Sequence, residues 1–233
     1  MFRFFIFIII FVISSAAQAV DGFLEPVAEV EISTPETGVI IKSNAKEGQV
    51  ISKGELLAEL DSSVLRASLT GASADYKDKK RKQSELETLF DQQIASFEEL
   101  EEAKTQTLIA LSQYQTLQRQ VSRRKITSPI DGVITEVAKE VGELVSQGQG
   151  PFIKIINISQ LKLVVFIPYE QTVELQKDQL LSIKINSVDD LQSAKINYIS
   201  PVVDPASSTV KVELLIQNEQ GQFRSGVPAS VQL

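Results

Sequence analysis

Residues 32–61 have the sequence ISTPETGVIIKSNAKEGQVISKGELLAELD, and residues 126–156 repeat its pattern as ITSPIDGVITEVAKEVGELVSQGQGPFIKII. One proline and three glycines recur at a constant offset of 94 residues, in the pairs Pro35 and Pro129, Gly38 and Gly132, Gly48 and Gly142, and Gly54 and Gly148. Short apolar runs between glycines indicate β-strands joined by tight turns, where a residue without Cβ takes a positive φ. We therefore predict that these six glycines are structural turn residues.

Each copy of the pattern predicts half of a small sheet domain. About 30 residues is below the size at which a hydrophobic core normally holds without help, so neither half is expected to fold alone. The two halves, residues 20–61 and 125–157, should therefore fold on each other. Residues 62–124 would then be an insertion into one domain.

The inserted segment, residues 62–124, has a helical composition. It is rich in Gln, Glu, Lys, Leu and Ala, and it has no Pro and a single Gly. Two series of positions alternate steps of three and four, as a and d positions do in a coiled coil. They are Leu65, Leu69, Ala72, Tyr76, Lys79, Gln83, Leu86 and Phe90, and then Leu100, Ala103, Thr107, Ala110, Tyr114, Leu117 and Val121.

A break near residues 91–95 divides this segment into two equal arms, residues 62–90 and 96–124. Equal arms predict an antiparallel helical hairpin, in which each arm extends about 44 Å at 1.5 Å per residue. Such a projection favours a role in reach and contact. A coiled coil that only dimerises is the alternative.

Residues 158–233 alternate apolar and polar side chains with a period of two, which indicates antiparallel strands with one buried face. Residues 169–177 are the helical candidate in this region, and residues 200–209 are predicted to form a loop because they contain two prolines. The positions predicted to face the core are Leu161, Leu163, Val165 and Ile167, then Leu181, Ile183 and Ile185, then Ile196 and Tyr198, then Val210, Val212, Leu214 and Ile216, and finally Val227, Ala229 and Val231.

The composition excludes several classes of function. The 233 residues include no Cys, no His and no Trp, and the formal net charge is −7. Thiol nucleophiles, thiolate or imidazole metal ligands and imidazole bases are therefore excluded. An acidic chain also argues against non-specific nucleic-acid binding, which depends on Lys and Arg. We predict no catalytic residues, no cofactor and no metal site.

Residues 1–19 have the pattern of a secretory signal peptide. Arg3 precedes an apolar run from Phe4 to Ile13, and Ala17 and Ala19 form an A-x-A cleavage pattern. We predict cleavage after Ala19 and an exported protein. The alternative is an uncleaved membrane anchor, although the apolar run is about half the ~20 residues that a spanning helix needs.

The two sheet halves, each with G-x-x-apolar-x-x-G spacing near its centre, resemble the biotinyl-lipoyl domain. In carrier members of that family, a lysine at the hairpin between the halves receives biotin or lipoate. Here the corresponding segment is Glu59, Leu60, Asp61 and Ser62, and Ser62 occupies the lysine position. Because Ser62 has no amine, the resemblance implies a scaffold without an attached cofactor.

Together with the signal peptide and the inserted hairpin, these features resemble the periplasmic adaptor proteins, or membrane fusion proteins, of bacterial tripartite efflux and secretion systems. The segments ISPVVD (residues 199–204) and NEQGQFRSGVPA (residues 218–229) resemble the β-barrel domain of that family. A glycine that is common before the second barrel strand is replaced by Asp178. Many members also continue past the barrel into a membrane-proximal domain, which leaves a compact adaptor or a truncated sequence as interpretations.

The resemblance implies a mixed α and β fold: a signal peptide (1–19), a split biotinyl-lipoyl-like domain (20–61 and 125–157), an antiparallel α-helical coiled-coil hairpin (62–124) and an antiparallel β-barrel (158–233). It also implies a site at the hairpin tip, where the family uses Arg, Leu and Ser to contact a TolC-type outer-membrane channel. Glu85, Leu89 and Ser96 stand at that spacing, so the cation is replaced by an anion. Ser96 with Glu99 also fits a helix capping box, and Leu89 fits an apolar cover over the end of the seam.

The first hypothesis is a periplasmic adaptor subunit that links an inner-membrane transporter to a TolC-type channel and packs with other copies into a ring. The barrel ending is most similar to adaptors of RND pumps, and an ABC transporter is the other option. A lack of His and of any Met beyond the initiator argues against the heavy-metal versions. The alternatives are a secreted coiled-coil binding protein and an unmodified relative of the biotin and lipoyl carriers.

Overall fold

The computed structural model describes residues 19–186 and 188–233, so the predicted signal peptide lies outside the described residues except for Ala19. The prediction of a mixed α and β fold is confirmed. The described chain divides into two compact units, one built from the segment that ends at Val27 with residues 158–233, and the other from residues 28–157. Among the described residues, no helix has both the length and the apolar character needed to cross a membrane.

The elements are numbered in chain order. They are β1 (Ala19–Ile32), β2 (Gly38–Ser43), β3 (Val50–Ile51), β4 (Leu56–Leu60), α1 (Ser63–Asp91), α2 (Phe97–Arg123), β5 (Lys125–Thr127), β6 (Gly132–Val137), β7 (Leu144–Val145), β8 (Ile153–Pro168), α3 (Tyr169–Thr172), β9 (Leu180–Ile185), β10 (Gln192–Asp204), β11 (Thr209–Gln217) and β12 (Pro228–Gln232).

In the unit formed by residues 28–157, the two repeated segments exchange strands. Strand β2 of the first segment pairs with β7 of the second, and β6 of the second pairs with β3 of the first. The backbone N–H of Gly142 donates to the carbonyl of Ile40, and the N–H of Gly48 donates to the carbonyl of Ile134, both at 2.8 Å. Each segment therefore completes the strand pairing of the other.

The core of this unit is built from equivalent positions of the two segments. Ile40 and Ile134 are both fully buried, and so are Ile51 and its equivalent Val145. Strands β4 and β5, which directly precede and follow the inserted helices, pair as antiparallel neighbours, with Glu59 opposite Lys125. The ends of the inserted segment are therefore adjacent in the sheet.

The glycines of the repeat fall into two groups. Gly48, Gly54, Gly142 and Gly148 lie in turns and have φ between +79° and +94°, a region that other residues rarely adopt. Gly38 and Gly132 are not turn residues, and the prediction was wrong for them because each is the first residue of a strand. A side chain on Gly132 would overlap the backbone of Ile156, so this position requires glycine for close approach.

Helices α1 and α2 occupy the inserted segment and pack against each other along the predicted seam. Apart from Phe90, which is exposed near the tip, the seam positions are among the less exposed residues of both helices. The rings of Tyr76 and Tyr114 stack at 5.9 Å. The polar seam position Lys79 donates from Nζ to Oε1 of Gln106 at 3.1 Å. The helices begin one residue later than the predicted arms, because Ser62 and Ser96 are their N-cap residues.

In the other unit, six strand segments follow the order β1-β12-β9-β10-β11-β8, and β8 also pairs with β1. Gly22 on β1 lies against the backbone of Val164 on β8, where a Cβ would overlap the carbonyl oxygen. The strands thus form a closed ring around one core. Strand β1 was missing from the sequence predictions, although its buried and half-buried side chains alternate with exposed ones from Val20 to Ile32.

Three local predictions in this unit were wrong. The predicted helix at residues 169–177 is a single turn, α3, and residues 200–204 belong to β10 instead of a loop. Pro201 is tolerated there because the β10–β11 register shifts between Ile199 and Val203, which leaves this stretch out of the hydrogen-bond ladder. A second shift after Ile196 turns Tyr198 outward, so these two residues do not share the core face.

Candidate functional site

Among residues 19–186 and 188–233, no group of three or more His, Cys, Asp or Glu side chains is placed to hold a metal ion. Ser62, at the position of the carrier lysine, is only 3% exposed, and its Oγ accepts a hydrogen bond from Nε of Arg66 at 2.8 Å. Ser62 therefore belongs to the start of α1, and the hairpin that begins there is the candidate contact surface.

The root of the hairpin is tied to the sheet by arginines. Arg66 on α1 forms an ion pair with Glu59 on β4, and Arg123 on α2 lies 3.5 Å from Glu36. Nη1 of Arg124 donates to the carbonyl of Asp61 at 3.2 Å. These contacts fix the two helix ends where they leave the strands.

The hairpin tip is closed by a capping box at the start of α2. The backbone N–H of Ser96 donates to Oε2 of Glu99 at 2.8 Å, and the N–H of Glu99 donates back to Oγ of Ser96 at 3.2 Å. Two hydrogen bonds hold the pKa of the Glu99 carboxyl below its usual value: the larger effect comes from the backbone N–H of Ser96 and the smaller one from its hydroxyl. Ser96 and Glu99 therefore each satisfy one backbone N–H that the helix end would otherwise leave open.

This geometry predicts different effects for two substitutions of Ser96. Ser96→Ala should lower the free energy of unfolding of the hairpin by about 1 kcal/mol, whereas Ser96→Asp should leave it nearly unchanged, because Asp caps as well as Ser. Thermal melts followed by circular dichroism at 222 nm measure both. Equal losses in the two variants would show that the cap contributes nothing at this position.

The turn between the helices exposes a cluster of apolar side chains, which we call the tip apex: Leu89, Phe90, Ile94 and Phe97. Ile94 and Phe97 are 69% and 66% exposed, and the rings of Phe90 and Phe97 lie 6.3 Å apart. The N–H groups of Ile94 and Ala95 both donate to the carbonyl of Leu89, which folds the turn over the end of α1. An uncovered apolar cluster at the end of a projection makes the tip apex a candidate interaction surface.

Sequence reasoning found Leu89 but missed the other three residues of the tip apex. The available signal was the presence of apolar residues at the break between two amphipathic arms, where solvent-exposed loops are normally polar. Glu85 lies one turn before Leu89, and its carboxylate accepts from Nη1 of Arg81 at 2.8 Å. Arg81 also pairs with Asp78 at 2.6 Å, so a cation does lie beside Glu85, one turn toward the root.

Comparison with known proteins assigns both units to characterised domain types. The profile of the RND MFP barrel-sandwich hybrid domain matches residues 28–157, and the profile of the CusB-like β-barrel domain matches residues 163–233. The first match covers more than half of the chain. Its limits agree with the limits of the unit that contains the repeat and the hairpin.

Individual relatives give a consistent result. An uncharacterized protein of Haemophilus influenzae is 26% identical over 201 residues, which cover 86% of this chain and 52% of the relative. The multidrug/solvent efflux pump periplasmic linker protein MepA of Pseudomonas putida is 25% identical over 214 residues, which cover 84% and 55%. The chain thus spans about half the length of these relatives.

A solved structure has a similar fold. A MacA–MexA chimeric protein, which contains the α-hairpin domain of Pseudomonas aeruginosa MexA, superposes with a TM-score of 0.80 at 22% identity. The match covers 92% of this chain and 80% of the chimera.

Proposed function

Because the chain belongs to the RND membrane fusion protein family, we propose that it is a periplasmic adaptor subunit that links an inner-membrane transporter to a TolC-type outer-membrane channel for efflux. The family consists of adaptors without enzymatic activity, and we extend that property to this chain. Its relative in Pseudomonas putida is described as an efflux pump periplasmic linker, which supports the same place in the cell. An RND transporter is the favoured partner over an ABC transporter.

The observation that carries this proposal is the hairpin itself, a pair of 29- and 27-residue helices that leaves the sheet between two adjacent strands and ends in an exposed apolar apex. We propose the finer domain division on this basis. Residues 20–61 and 125–157 are the biotinyl-lipoyl-like domain, 62–124 are the hairpin, and 158–233 are the β-barrel. The adaptor is exported by removal of residues 1–19 and forms a ring with other copies.

We further propose that Glu85, Leu89 and Ser96 belong to the channel-binding tip. Leu89 supports this role directly as a member of the tip apex. Ser96 supports it through the cap, which holds the start of α2 beside the apex. Glu85 is exposed one turn below, where it reaches a partner that surrounds the tip.

Site-specific photocross-linking in the producing cell tests the adaptor function. A photoreactive amino acid at Ile94 should trap an outer-membrane channel of the TolC type, because Ile94 is at the tip apex. The same amino acid at Leu108 is the matched control, since Leu108 is equally exposed at 65% but lies along the arm. We expect the channel adduct from Ile94 and at least tenfold less from Leu108.

The opposite result would contradict the proposal. If Ile94 traps a secreted or surface protein and no channel, the chain is a secreted coiled-coil binding protein, which is the alternative hypothesis drawn from the sequence. Equal channel adducts from both positions would mean that contact occurs along the arm, and the tip would lose its assigned role.

A further inference from the structure

The end of the hairpin carries charge of one sign only. Residues 83–103 contain seven carboxylates and neither Lys nor Arg, and we call them the acidic collar. They are Glu85, Glu87, Asp91, Glu98, Glu99, Glu101 and Glu102. These seven negative charges equal the formal net charge of the entire chain, −7. The rest of the chain therefore has equal numbers of acidic and basic side chains, and the net negative charge is concentrated around the tip apex.

Only part of the acidic collar is neutralised by the hairpin. Glu85 pairs with Arg81, and Glu101 pairs with Nζ of Lys104 at 2.9 Å. Glu99 is engaged in the capping box. Within the part of the chain that the structure describes, no cation lies at ion-pair distance from Asp91 or Glu98, the two carboxylates that flank the turn.

The tip therefore combines an uncovered apolar apex with uncompensated carboxylates around it. Covering the apex with an apolar surface alone would bring Asp91 and Glu98 into a less polar environment without a partner, which is unfavourable for charged groups. A covering surface that also supplies Lys or Arg at its rim satisfies both features. Such complementarity guides association and selects the partner.

We infer that the tip docks onto a TolC-type channel whose periplasmic rim carries lysine or arginine side chains around an apolar pocket. This inference rests on the proposed adaptor function and adds the chemistry of the partner surface. A second copy of the chain fits less well, because hairpins side by side in a ring bring their acidic collars together. A basic rim on the channel relieves the repulsion between neighbouring acidic collars. Docking onto the channel therefore stabilises the side-by-side arrangement of the hairpin tips.

The test uses the full exported chain and one TolC-type channel, purified in two versions whose periplasmic rim residues are Lys in one and Glu in the other. Surface plasmon resonance measures the association rate and Kd at NaCl concentrations from about 50 to 500 mM. Over roughly this range, salt progressively screens the interactions between exposed charges. The chain should bind the Lys-rim channel about tenfold or more tightly at low salt, mainly through faster association. The preference should shrink as salt rises.

Two variants sharpen this experiment. Asp91→Lys with Glu98→Lys should reverse the preference toward the Glu-rim channel. Asp75→Lys with Glu219→Lys changes the net charge equally at exposed positions outside the acidic collar, and it should retain the Lys-rim preference. Phe97→Ser, which truncates the apex, should weaken binding to both channels by a similar factor.

Each other outcome overturns the inference in a recognisable way. Equal binding to both rims, or preference for the Glu rim, refutes the basic partner and leaves the adaptor function standing. Binding to neither channel at any salt concentration refutes the adaptor function as well. Salt-sensitive dimers of the chain alone, seen by sedimentation, would identify a second copy as the partner of the tip.

Discussion

Replacing residues 62–123 with a single glycine should leave a folded sheet unit that no longer supports efflux. The N–H of Leu60 donates to the carbonyl of Arg124 at 2.8 Å, so these residues already face each other as the last pair of a β-hairpin. The shortened chain would join them through Asp61 and the new glycine, and Asp-Gly favours the two-residue turns that suit such hairpins. The helical circular dichroism signal should nearly vanish, while amide protection in β2, β4 and β6 remains.

Loss of efflux in this variant has to be separated from loss of protein. Accumulation of a fluorescent pump substrate should match that of cells without the chain, although the shortened protein is present in the periplasm at a normal level. Asp75→Lys is the companion variant, because it changes an exposed residue of α1 away from the tip, keeps the hairpin and should retain efflux. If the shortened chain lacks protected amides, the hairpin belongs to the core and the insertion interpretation is wrong.

Gly132→Ala should strongly destabilise the repeat, with a loss of about 3 kcal/mol in the free energy of unfolding. A Cβ at this position would overlap the carbonyl oxygen of Ile156 and lie 2.9 Å from its carbonyl carbon. Both atoms belong to the backbone of β8, which is paired with β6 through Val133 and Ile156. The only relief is a displacement of one strand from the other.

Gly38→Ala is the matched control, because Gly38 is the equivalent position of the first repeat. There the added Cβ would lie 2.5 Å from Nη1 of Arg124, which is the far end of a flexible side chain. Movement of the guanidinium removes its hydrogen bond to Asp61, so we expect a loss of about 1 kcal/mol or less. Urea unfolding curves of the two variants measure the difference. Equal losses would show that β8 adjusts as readily as an arginine side chain.

The repeat was predictable from the sequence because its signal is periodic and strong. Glycines with positive φ, such as Gly48 and Gly142, keep a fixed spacing that a single chain reveals by comparison with itself. Gly38 and Gly132 are glycines for a different reason, which is the close approach of another segment of the chain. That reason depends on which strand lies opposite, and no local pattern contains this information.

The hairpin and its cap were predictable for a similar reason. Ser96 and Glu99 interact with each other three residues apart, so the sequence contains the whole interaction. The pairing of Glu85 with Arg81 is equally local, because the two residues lie four apart on one helix. The tip apex was harder to predict, since the exposure of Ile94 and Phe97 depends on how the turn folds over the end of α1.

The irregular strands of the second unit could not be predicted from alternation. Bulges after Ile196 and Ile199 change which side chains face inward, and the period of two is lost at each. Pro201 then resembles a loop residue in the sequence although it lies within a strand. Strand β1 pairs with β12 and β8, which lie more than a hundred residues away in the chain, so its place in the sheet is not a local property of the sequence.

The exchange of strands between the two repeated segments also has a consequence for how the chain folds. During synthesis the first segment emerges without its partners, and it has to wait until residues 126–156 follow. Closing the sheet across an unstructured insertion of roughly 64 residues, instead of one of about four, would cost about 2 kcal/mol in loop-closure entropy. When α1 and α2 form and pair with each other first, they bring Leu60 beside Arg124 and remove most of the loop-closure cost. The same helices that reach outward in the finished protein would thus act as a guide that aligns the two ends of the sheet, and stopped-flow refolding should then show helix formation before protection of the sheet amides.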